Sequence, residues 1–235
     1  MPDILDVKNL QKNFGNLAAV NDLSFEVIEG EILGVMGPNG AGKTTLFNLV
    51  TGEIPLDEGS ILLFGKDLTR QPVQKRIASQ LGRTYQVSNL FSQLTVQENL
   101  FLASWQTRRR KASLAATLFR SWYKFENQRR HLAKIAHRVG LENRLDITVD
   151  ELSHGEHRQL ELGITLAHEP RILLLDEPMA GLSVAERGFM TELIMSLKPE
   201  ITVVIIEHDI DVAFSIADQV SVLHHGAIIA EGTPG

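Results

Sequence analysis

The segment Gly37–Thr44 has the composition and spacing of a loop that binds nucleotide phosphates. Its sequence is Gly-Pro-Asn-Gly-Ala-Gly-Lys-Thr, and it follows the apolar run Ile32–Met36 and opens a segment with helical character. Glycines let backbone N–H groups turn toward a β-phosphate, where the helix N-terminus adds positive potential. Lys43 would bridge the β- and γ-phosphates, and the Thr44 hydroxyl would ligate Mg²⁺.

The residues expected around the phosphates of a nucleoside triphosphate such as ATP lie in this loop and in the first turn of the helix after it. They are Gly37, Pro38, Asn39, Gly40, Ala41, Gly42, Lys43, Thr44 and Thr45. The alternative is a glycine turn before a helix, with a lysine in this place by chance.

Two carboxylates, Asp176 and Glu177, follow the apolar run Leu173–Leu175. Asp176 is expected to hold Mg²⁺ through water. Because successive strand residues point to opposite faces, Glu177 would point away from the metal and could polarise an attacking water. The alternative is a strand-end pair of carboxylates in solvent.

The segment Leu152–Glu156, Leu-Ser-His-Gly-Glu, precedes a stretch whose apolar residues share one helical face. Ser153 and Gly155 would therefore lie at a helix N-terminus, which is a favourable place for an anion. Ser153 could equally serve only as the N-cap of that helix.

Composition narrows the class of protein. The chain has 235 residues, 43% apolar and 22% charged, with a formal net charge of −6 and no cysteine. These values are typical of a globular protein of one domain or two intimate lobes, and the acidic balance is against a general nucleic-acid binder. The chain shows no signal peptide and no run of about 18 apolar residues, so a membrane-spanning part would lie on another chain.

Periodicity predicts the elements that would position these residues. We expect residues 4–35 to be mostly strand, with a half-buried antiparallel pattern at Leu23–Val27. We also expect a lobe of helices over about 87–165 and an α/β core formed by 1–86 and 166–235. Ser183–Leu197 is predicted as a helix whose N-cap Ser183 and Glu186 form a capping box. Ile201–Ile206 is predicted as a buried strand, and 220–223 with 227–230 as a closing pair.

Taken together, these motifs resemble the ATP-binding subunit of ABC transporters, and the resemblance covers the whole chain. Leu152–Glu156 is similar to the family's signature segment, Leu-Ser-Gly-Gly-Gln, but departs from it at His154 and Glu156 while keeping Ser153 and Gly155. The resemblance implies an α/β fold: a P-loop ABC ATPase core with an antiparallel β subdomain and an inserted α-helical subdomain, forming a single ATP-binding domain over 1–235. It also implies a head-to-tail dimer, in which Ser153 and Gly155 reach the ATP held by a second ATPase subunit.

The resemblance assigns further roles residue by residue. Phe14 matches the aromatic that stacks on adenine, although it could be a core phenylalanine. Gln86 matches the Q-loop glutamine, which senses Mg²⁺ and the γ-phosphate, and Met179–Ser183 matches the D-loop at the dimer interface. His208 matches the switch histidine, which holds the attacking water with Glu177. The catalytic set is then Glu177, His208 and Gln86, and the metal set is Thr44, Gln86 and Asp176.

Three segments resemble the branch that imports branched-chain amino acids, a branch whose traits urea and short-chain amide importers share. They are Arg83–Gln86 with the residues up to Asn99, Asp176–Ser183, and Ile206–Asp209. The implied partners are transmembrane permease subunits, a second ATPase subunit and, indirectly, a substrate-binding protein, with no nucleic acid. The implied location is the cytoplasmic face of the inner or plasma membrane. The basic runs at 108–111 and 128–131 would be a solvated helix face or a contact with lipid headgroups or a permease.

Three other functions compete with import. A lipid or lipopolysaccharide exporter also uses a separate ATPase subunit, but the Arg83–Gln86 context is against it. A non-transport ABC ATPase acting on DNA or ribosomes would carry a long coiled coil or two ATPase units, and neither is present in this sequence. A nucleotide-binding scaffold with weak hydrolysis would not need both Glu177 and His208.

Overall fold

The structure is a computed structural model that describes residues 3–84, 90–109 and 126–234. Gln86 and residues 110–125 of the predicted helical lobe lie outside the described residues. Contacts divide the chain into two compact units. The first contains Met1–Arg83, Pro170–Ala180 and Ile194–Gly235, and the second contains Thr84–Glu169 and Gly181–Leu193.

The strands and helices follow the order of an α/β protein with a helical insertion. The strands are β1 (Asp3–Phe14), β2 (Leu17–Ile28), β3 (Ile32–Met36), β4 (Glu58–Leu63), β5 (Lys66–Asp67), β6 (Leu81–Arg83), β7 (Ile172–Asp176), β8 (Thr202–Ile206), β9 (Gln219–His224) and β10 (Ala227–Gly232). The helices are α1 (Lys43–Thr51), α2 (Val73–Ala78), α3 (Val96–Arg109), α4 (Glu126–Arg138), α5 (His154–Leu166), α6 (Val184–Ser196) and α7 (Ile210–Ile216).

The first unit contains an antiparallel sheet in the order β2-β1-β4-β5. In β2, Leu23, Phe25 and Val27 are buried and alternate with exposed Ser24 and Glu26. This alternation places one face of the sheet on the core and the other in water, as the sequence pattern predicts. The antiparallel β portion is therefore confirmed.

A second sheet of the first unit, in the order β10-β9-β3-β8-β7-β6, carries the glycine loop and both carboxylates. Strands β9, β3, β8, β7 and β6 are parallel, and β10 pairs antiparallel with β9, which confirms the predicted closing pair. Every residue of β3, β7 and β8 is buried. Parallel strands covered on both faces are uniformly apolar, which explains the runs in the sequence.

The second unit is built from α3, α4 and α5, which contact one another. Gly163 in α5 makes a close approach possible, since a Cβ there would lie 3.3 Å from side-chain carbons of Leu100 in α3 and Val139. The unit also includes Gly181–Leu193, although the predicted core included this stretch. The contacts of the signature segment, given below, explain that grouping.

None of the helices in the described part of the chain is both long enough and apolar enough to cross a lipid bilayer.

The C-terminal end of α1 is held by a buried arginine. The helix ends with Gly52 in the left-handed conformation, and Arg76 of α2 lies beside it with 2% of its surface exposed. Arg76 Nη1 donates to the carbonyl oxygens of Leu49 and Val50, each at 2.7 Å. The last carbonyls of a helix lack partners in its regular hydrogen-bond ladder. The Gly52 N–H donates to the Leu49 carbonyl at 3.1 Å, so the guanidinium adds a second donor there and supplies a donor to Val50.

We expect Arg76→Met to lower the free energy of unfolding by about 2 to 4 kcal/mol, because it removes the guanidinium hydrogen bonds to the carbonyls of Leu49, Val50, Thr69 and Gln71. Urea unfolding followed by circular dichroism measures this change. Lys75→Met removes an exposed cation from the same helix, and as a control it should change the stability by about 0.5 kcal/mol or less. Equal effects of the two variants would contradict the capping role of Arg76.

Candidate functional site

The loop between β3 and α1 leads into a helix N-terminus that can accept an anion. Gly42 is the N-cap of α1, with φ of 104°, and no side chain caps the helix. A Cβ on Gly42 would lie 2.4 Å from the carbonyl oxygen of Ala19, so neither the backbone conformation nor the space admits a side chain. The free N–H groups of the first turn therefore remain available to phosphate oxygens.

Lys43 is folded over the loop. Its Nζ donates to the carbonyl oxygens of Gly37 at 2.7 Å and Pro38 at 3.0 Å, and the residue is 6% exposed. Burial lowers the pKa of Lys43, and the nearby charges of Glu177 and Asp176 oppose that shift. The amine therefore lies beside both predicted carboxylates and within the phosphate loop, where a bound phosphate would supply the missing negative charge.

Asp176, the last residue of β7, is 3% exposed. Its Oδ2 accepts a hydrogen bond from Arg83 Nη2 at 3.1 Å, while its buried Oδ1 has no hydrogen-bond partner among the described residues. Burial raises the pKa of Asp176, and the charge and hydrogen bond of Arg83 oppose the rise. A buried carboxylate oxygen without a donor fits a ligand of a hard cation such as Mg²⁺.

Glu177 contacts His208, which follows the neighbouring strand β8. Glu177 Oε1 lies 2.5 Å from His208 Nε2. Glu177 lies just past β7 and has a left-handed backbone with φ of 52°. The prediction that Glu177 and Asp176 point apart because strand residues alternate is therefore based on the wrong reason. The left-handed backbone at Glu177 turns its side chain toward His208, while Asp176 remains in the sheet beside Arg83. The two side chains therefore lie within hydrogen-bonding distance of each other.

A further carboxylate, Glu207, directly precedes His208 in the chain. It is 4% exposed, and its Oε1 accepts the N–H of Met179 in the D-loop at 3.2 Å. Burial raises its pKa, and hydrogen bonds from the N–H groups of Met179 and His208 oppose the rise. The Glu207 carboxylate therefore accepts backbone hydrogen bonds from Met179, the first residue of the predicted D-loop, and from His208.

The signature segment begins α5 as a capping box. Ser153 Oγ accepts the N–H of Glu156, whose carboxylate accepts the N–H of Ser153 at 2.8 Å. Arg144 Nε donates to Glu156 at 2.6 Å and holds the pKa of that carboxyl low. The departure at Glu156 is therefore explained by an ion pair and a cap within the second unit.

His154, the other residue that differs from the family's signature segment, lies close to Gly181 of the predicted D-loop. A Cβ on Gly181, whose φ is 77°, would lie 2.8 Å from His154 Nε2. A Cβ on Gly155 would lie 2.4 Å from Glu186 Oε1, and Glu186 Oε2 accepts the N–H and hydroxyl of Ser183. These contacts join the signature segment to residues that begin α6, which explains why Gly181–Leu193 belongs to the second unit.

The remaining predicted residues have different outcomes. Phe14 ends β1 with 52% of its surface exposed, so it is not a core phenylalanine. Its ring lies 5.6 Å from Lys12 Nζ. Thr44 is exposed and Thr45 is half-buried in the first turn of α1. Gln86 lies outside the described residues, so its role stays a prediction.

Sequence reasoning missed roles for Arg83 and Glu207. Each lies in a segment from which another residue, Gln86 or His208, received the assigned role. A single signal was available for each: a charged residue at the end of an otherwise buried strand or directly after it. A buried charge at such a place needs a partner, and the site supplies one in each case.

These features define the class of protein as a P-loop nucleotide-binding protein with a strand-end carboxylate and a glutamate–histidine pair. The family model of the ABC transporter matches residues 20–180. The chain therefore belongs to the ABC transporter family and is an ATP-binding and ATP-hydrolysing cassette.

Curated relatives carry the resemblance over nearly the whole chain. The high-affinity branched-chain amino acid transport ATP-binding protein BraF of Pseudomonas aeruginosa is 37% identical, over 98% of this chain and 92% of its own length. LivG of Escherichia coli is 36% identical over the same shares. Among solved structures, the ADP conformation of MJ1267, an ATP-binding cassette, has a TM-score of 0.86 and 31% identity, covering 99% of this chain and 92% of its own.

We expect Glu207→Gln to raise the free energy of unfolding at pH values above the ordinary pKa of a glutamate. The folded pKa of Glu207 is raised, so the wild type loses stability as pH rises from the ordinary glutamate value through the folded pKa. Glutamine keeps an acceptor for the Met179 N–H without a buried charge, so the gain should shrink as pH falls toward the ordinary value.

Urea unfolding of both proteins across this pH range measures the difference. Glu58→Gln, at an exposed glutamate, serves as the control and should show no such trend. A variant of Glu207 whose stability relative to wild type does not depend on pH would contradict the assignment.

Proposed function

We propose that this chain is the ATP-hydrolysing subunit of a membrane importer for branched-chain amino acids or related small polar amides and amino acids. The observation that carries hydrolysis is the 2.5 Å contact between Glu177 Oε1 and His208 Nε2, in the same unit as the phosphate loop. Likeness to BraF and LivG over 98% of the chain supports the substrate class.

ATP would lie with its phosphates on the N-terminus of α1 and its adenine against Phe14. Lys43 would exchange its two carbonyl partners for phosphate oxygens, which compensate its buried charge better than dipoles do. Glu177 would accept the proton of the attacking water, and His208 would hold that water and stabilise the product phosphate.

Thr44, Asp176 and Gln86 would hold Mg²⁺, which would neutralise charge on the β- and γ-phosphates. Asp176 fits this role through its buried Oδ1, which accepts no hydrogen bond from the part of the chain that the structure describes. Glu177 and His208 would then activate water while Asp176 holds the metal. The general base Glu177 would therefore not be a ligand of the cation.

Hydrolysis would occur in a head-to-tail dimer at the cytoplasmic face of the membrane. Ser153 and Gly155 at the start of α5 would meet the ATP held by a second ATPase subunit. Closure would be transmitted to transmembrane permease subunits, which receive substrate from a binding protein. Because each chain carries one phosphate loop and one signature segment, two sites would form only when two cassettes associate.

We expect Glu177→Gln to bind ATP, hydrolyse it at least about 100-fold more slowly and accumulate as an ATP-bound dimer, because only the general base is lost. Phosphate release measures turnover, and light scattering with and without ATP measures mass. Glu192→Gln, at an exposed glutamate, should behave as wild type. Lys43→Ala should lose ATP affinity.

Turnover of Glu177→Gln at the wild-type rate would reject the assigned base. If this variant is slow but remains a monomer with ATP at high protein concentration, the chemistry stands and the homodimer fails. A heterodimer with a second cassette is then the form to be reconstituted.

Affinity purification of the chain from its native membranes in mild detergent tests the transport role. We expect two polytopic permeases and a second, similar ATPase to be identified by mass spectrometry, with amino-acid or amide uptake lost when the gene is deleted. Recovery of lipid-export components, or of only ribosomes or DNA, would overturn import while the ATPase chemistry stands.

A further inference from the structure

Arg83, the last residue of β6, places its guanidinium against the end of the adjacent strand β7. Nη2 donates to Asp176 Oδ2 at 3.1 Å, and Nη1 donates to Asn48 Oδ1 at 2.6 Å and to Glu53 Oε1 at 3.2 Å. The side chain of Arg83 is 6% exposed. The residues assigned above to nucleotide, metal and water do not include it.

The two carboxylates beside Arg83 differ in their access to water. The side chain of Glu53 is 30% exposed, so solvent screens its charge, whereas that of Asp176 is 2% exposed. The ionised form of Asp176 therefore depends on neighbouring cations. Lys43 donates its hydrogen bonds to loop carbonyls and not to Asp176. Among the described residues, the cation that hydrogen-bonds to Asp176 is therefore Arg83.

Arg83 also distinguishes the two oxygens of Asp176. It donates to Oδ2, while no residue in the described ranges 3–84, 90–109 and 126–234 donates to the buried Oδ1. A carboxylate fixed at one oxygen by a donor offers the other as a single ligand of defined direction. A rotation of the Asp176 side chain would break the bond to Arg83.

The same guanidinium is anchored to α1. Asn48 lies on that helix, and the Arg83 guanidinium carbon lies 5.6 Å from the centre of the Phe47 ring. Helix α1 begins with Lys43 and Thr44, so Arg83 connects the element that carries the predicted metal hydroxyl to the strand that ends in Asp176. A planar guanidinium can hold both partners at once, and a lysine amine has no such fork.

We propose that Arg83 is a positioning residue for the metal of the ATP site: it orients Asp176 relative to α1 and thereby sets the affinity for the Mg²⁺ that accompanies ATP. The inference rests on the proposed function, which assigns Asp176 to the metal. It predicts a specific loss of metal affinity that differs from a loss of nucleotide affinity or of stability.

The test titrates the purified full chain with Mn²⁺, in the presence of an equal amount of the non-hydrolysable analogue adenylyl imidodiphosphate. Electron paramagnetic resonance of free Mn²⁺ gives the half-saturating concentration, and a parallel titration in EDTA gives the affinity for the analogue alone. Arg83→Met removes the guanidinium, Arg83→Lys keeps only its charge, and Asn48→Ala loosens its anchor.

Arg76→Met is the matched control, because it removes a second buried arginine that binds the same helix without contacting Asp176. We expect Arg83→Met to raise the half-saturating Mn²⁺ concentration about 10-fold or more. Arg83→Lys and Asn48→Ala should give smaller rises of about 2- to 5-fold. Affinity for the analogue in EDTA should change less than about 2-fold, and Arg76→Met should leave the Mn²⁺ titration unchanged.

Equal Mn²⁺ titrations for wild type and all three test variants would overturn the role of Arg83 while leaving the metal site intact. Equal losses for the Arg83 and Arg76 variants would also overturn it, in favour of general damage to α1. If Arg83→Met does not fold, the milder variants at Arg83 and Asn48 decide the question. If the wild type itself binds no Mn²⁺ beside the analogue, the proposed metal role of Asp176 fails, and the inference fails with it.

Discussion

The register of three parallel strands is the constraint on which the site depends. Val35 in β3 and Asp176 in β7 both pair with Ile206 of the central strand β8. The hydrogen-bonded ladder therefore brings the phosphate loop, the two carboxylates and the switch histidine to the same edge of one sheet. A slip by one residue would turn every side chain of the slipped strand to the opposite face and would separate Asp176 from Ile206, so the geometry of the site depends on this register.

Charge is concentrated at this edge and is compensated locally. Lys43, Asp176 and Glu207 are all nearly inaccessible to water, and each has partners in the loop, in Arg83 or in the backbone of Met179. The pKa values of these groups shift mainly because of burial, and neighbouring charges or hydrogen bonds oppose each shift. Such an arrangement suits a polyanion and a cation, whose binding would add the missing charges.

The sequence was sufficient for the fold class, the phosphate loop and the positions of the main buried strands, because these depend on local patterns. Apolar runs identified β3, β7 and β8. The role of Arg83 could not be predicted, since its partners Asn48 and Asp176 are distant along the chain and meet only through strand order. The direction of the Glu177 side chain was also beyond a strand pattern, because it depends on one left-handed residue after β7.

The contact between His154 and Gly181 has a consequence for how this cassette can change over evolution. The imidazole occupies the space that a side chain at 181 would need, and the backbone at 181 is itself left-handed. The two positions therefore form an epistatic pair. Replacing the histidine by a smaller residue would relieve the steric constraint at position 181, but the left-handed backbone would remain. Substitutions at 181 would then be limited to residues, such as asparagine, that tolerate this backbone. The unusual signature segment and the D-loop of this chain are expected to diversify together.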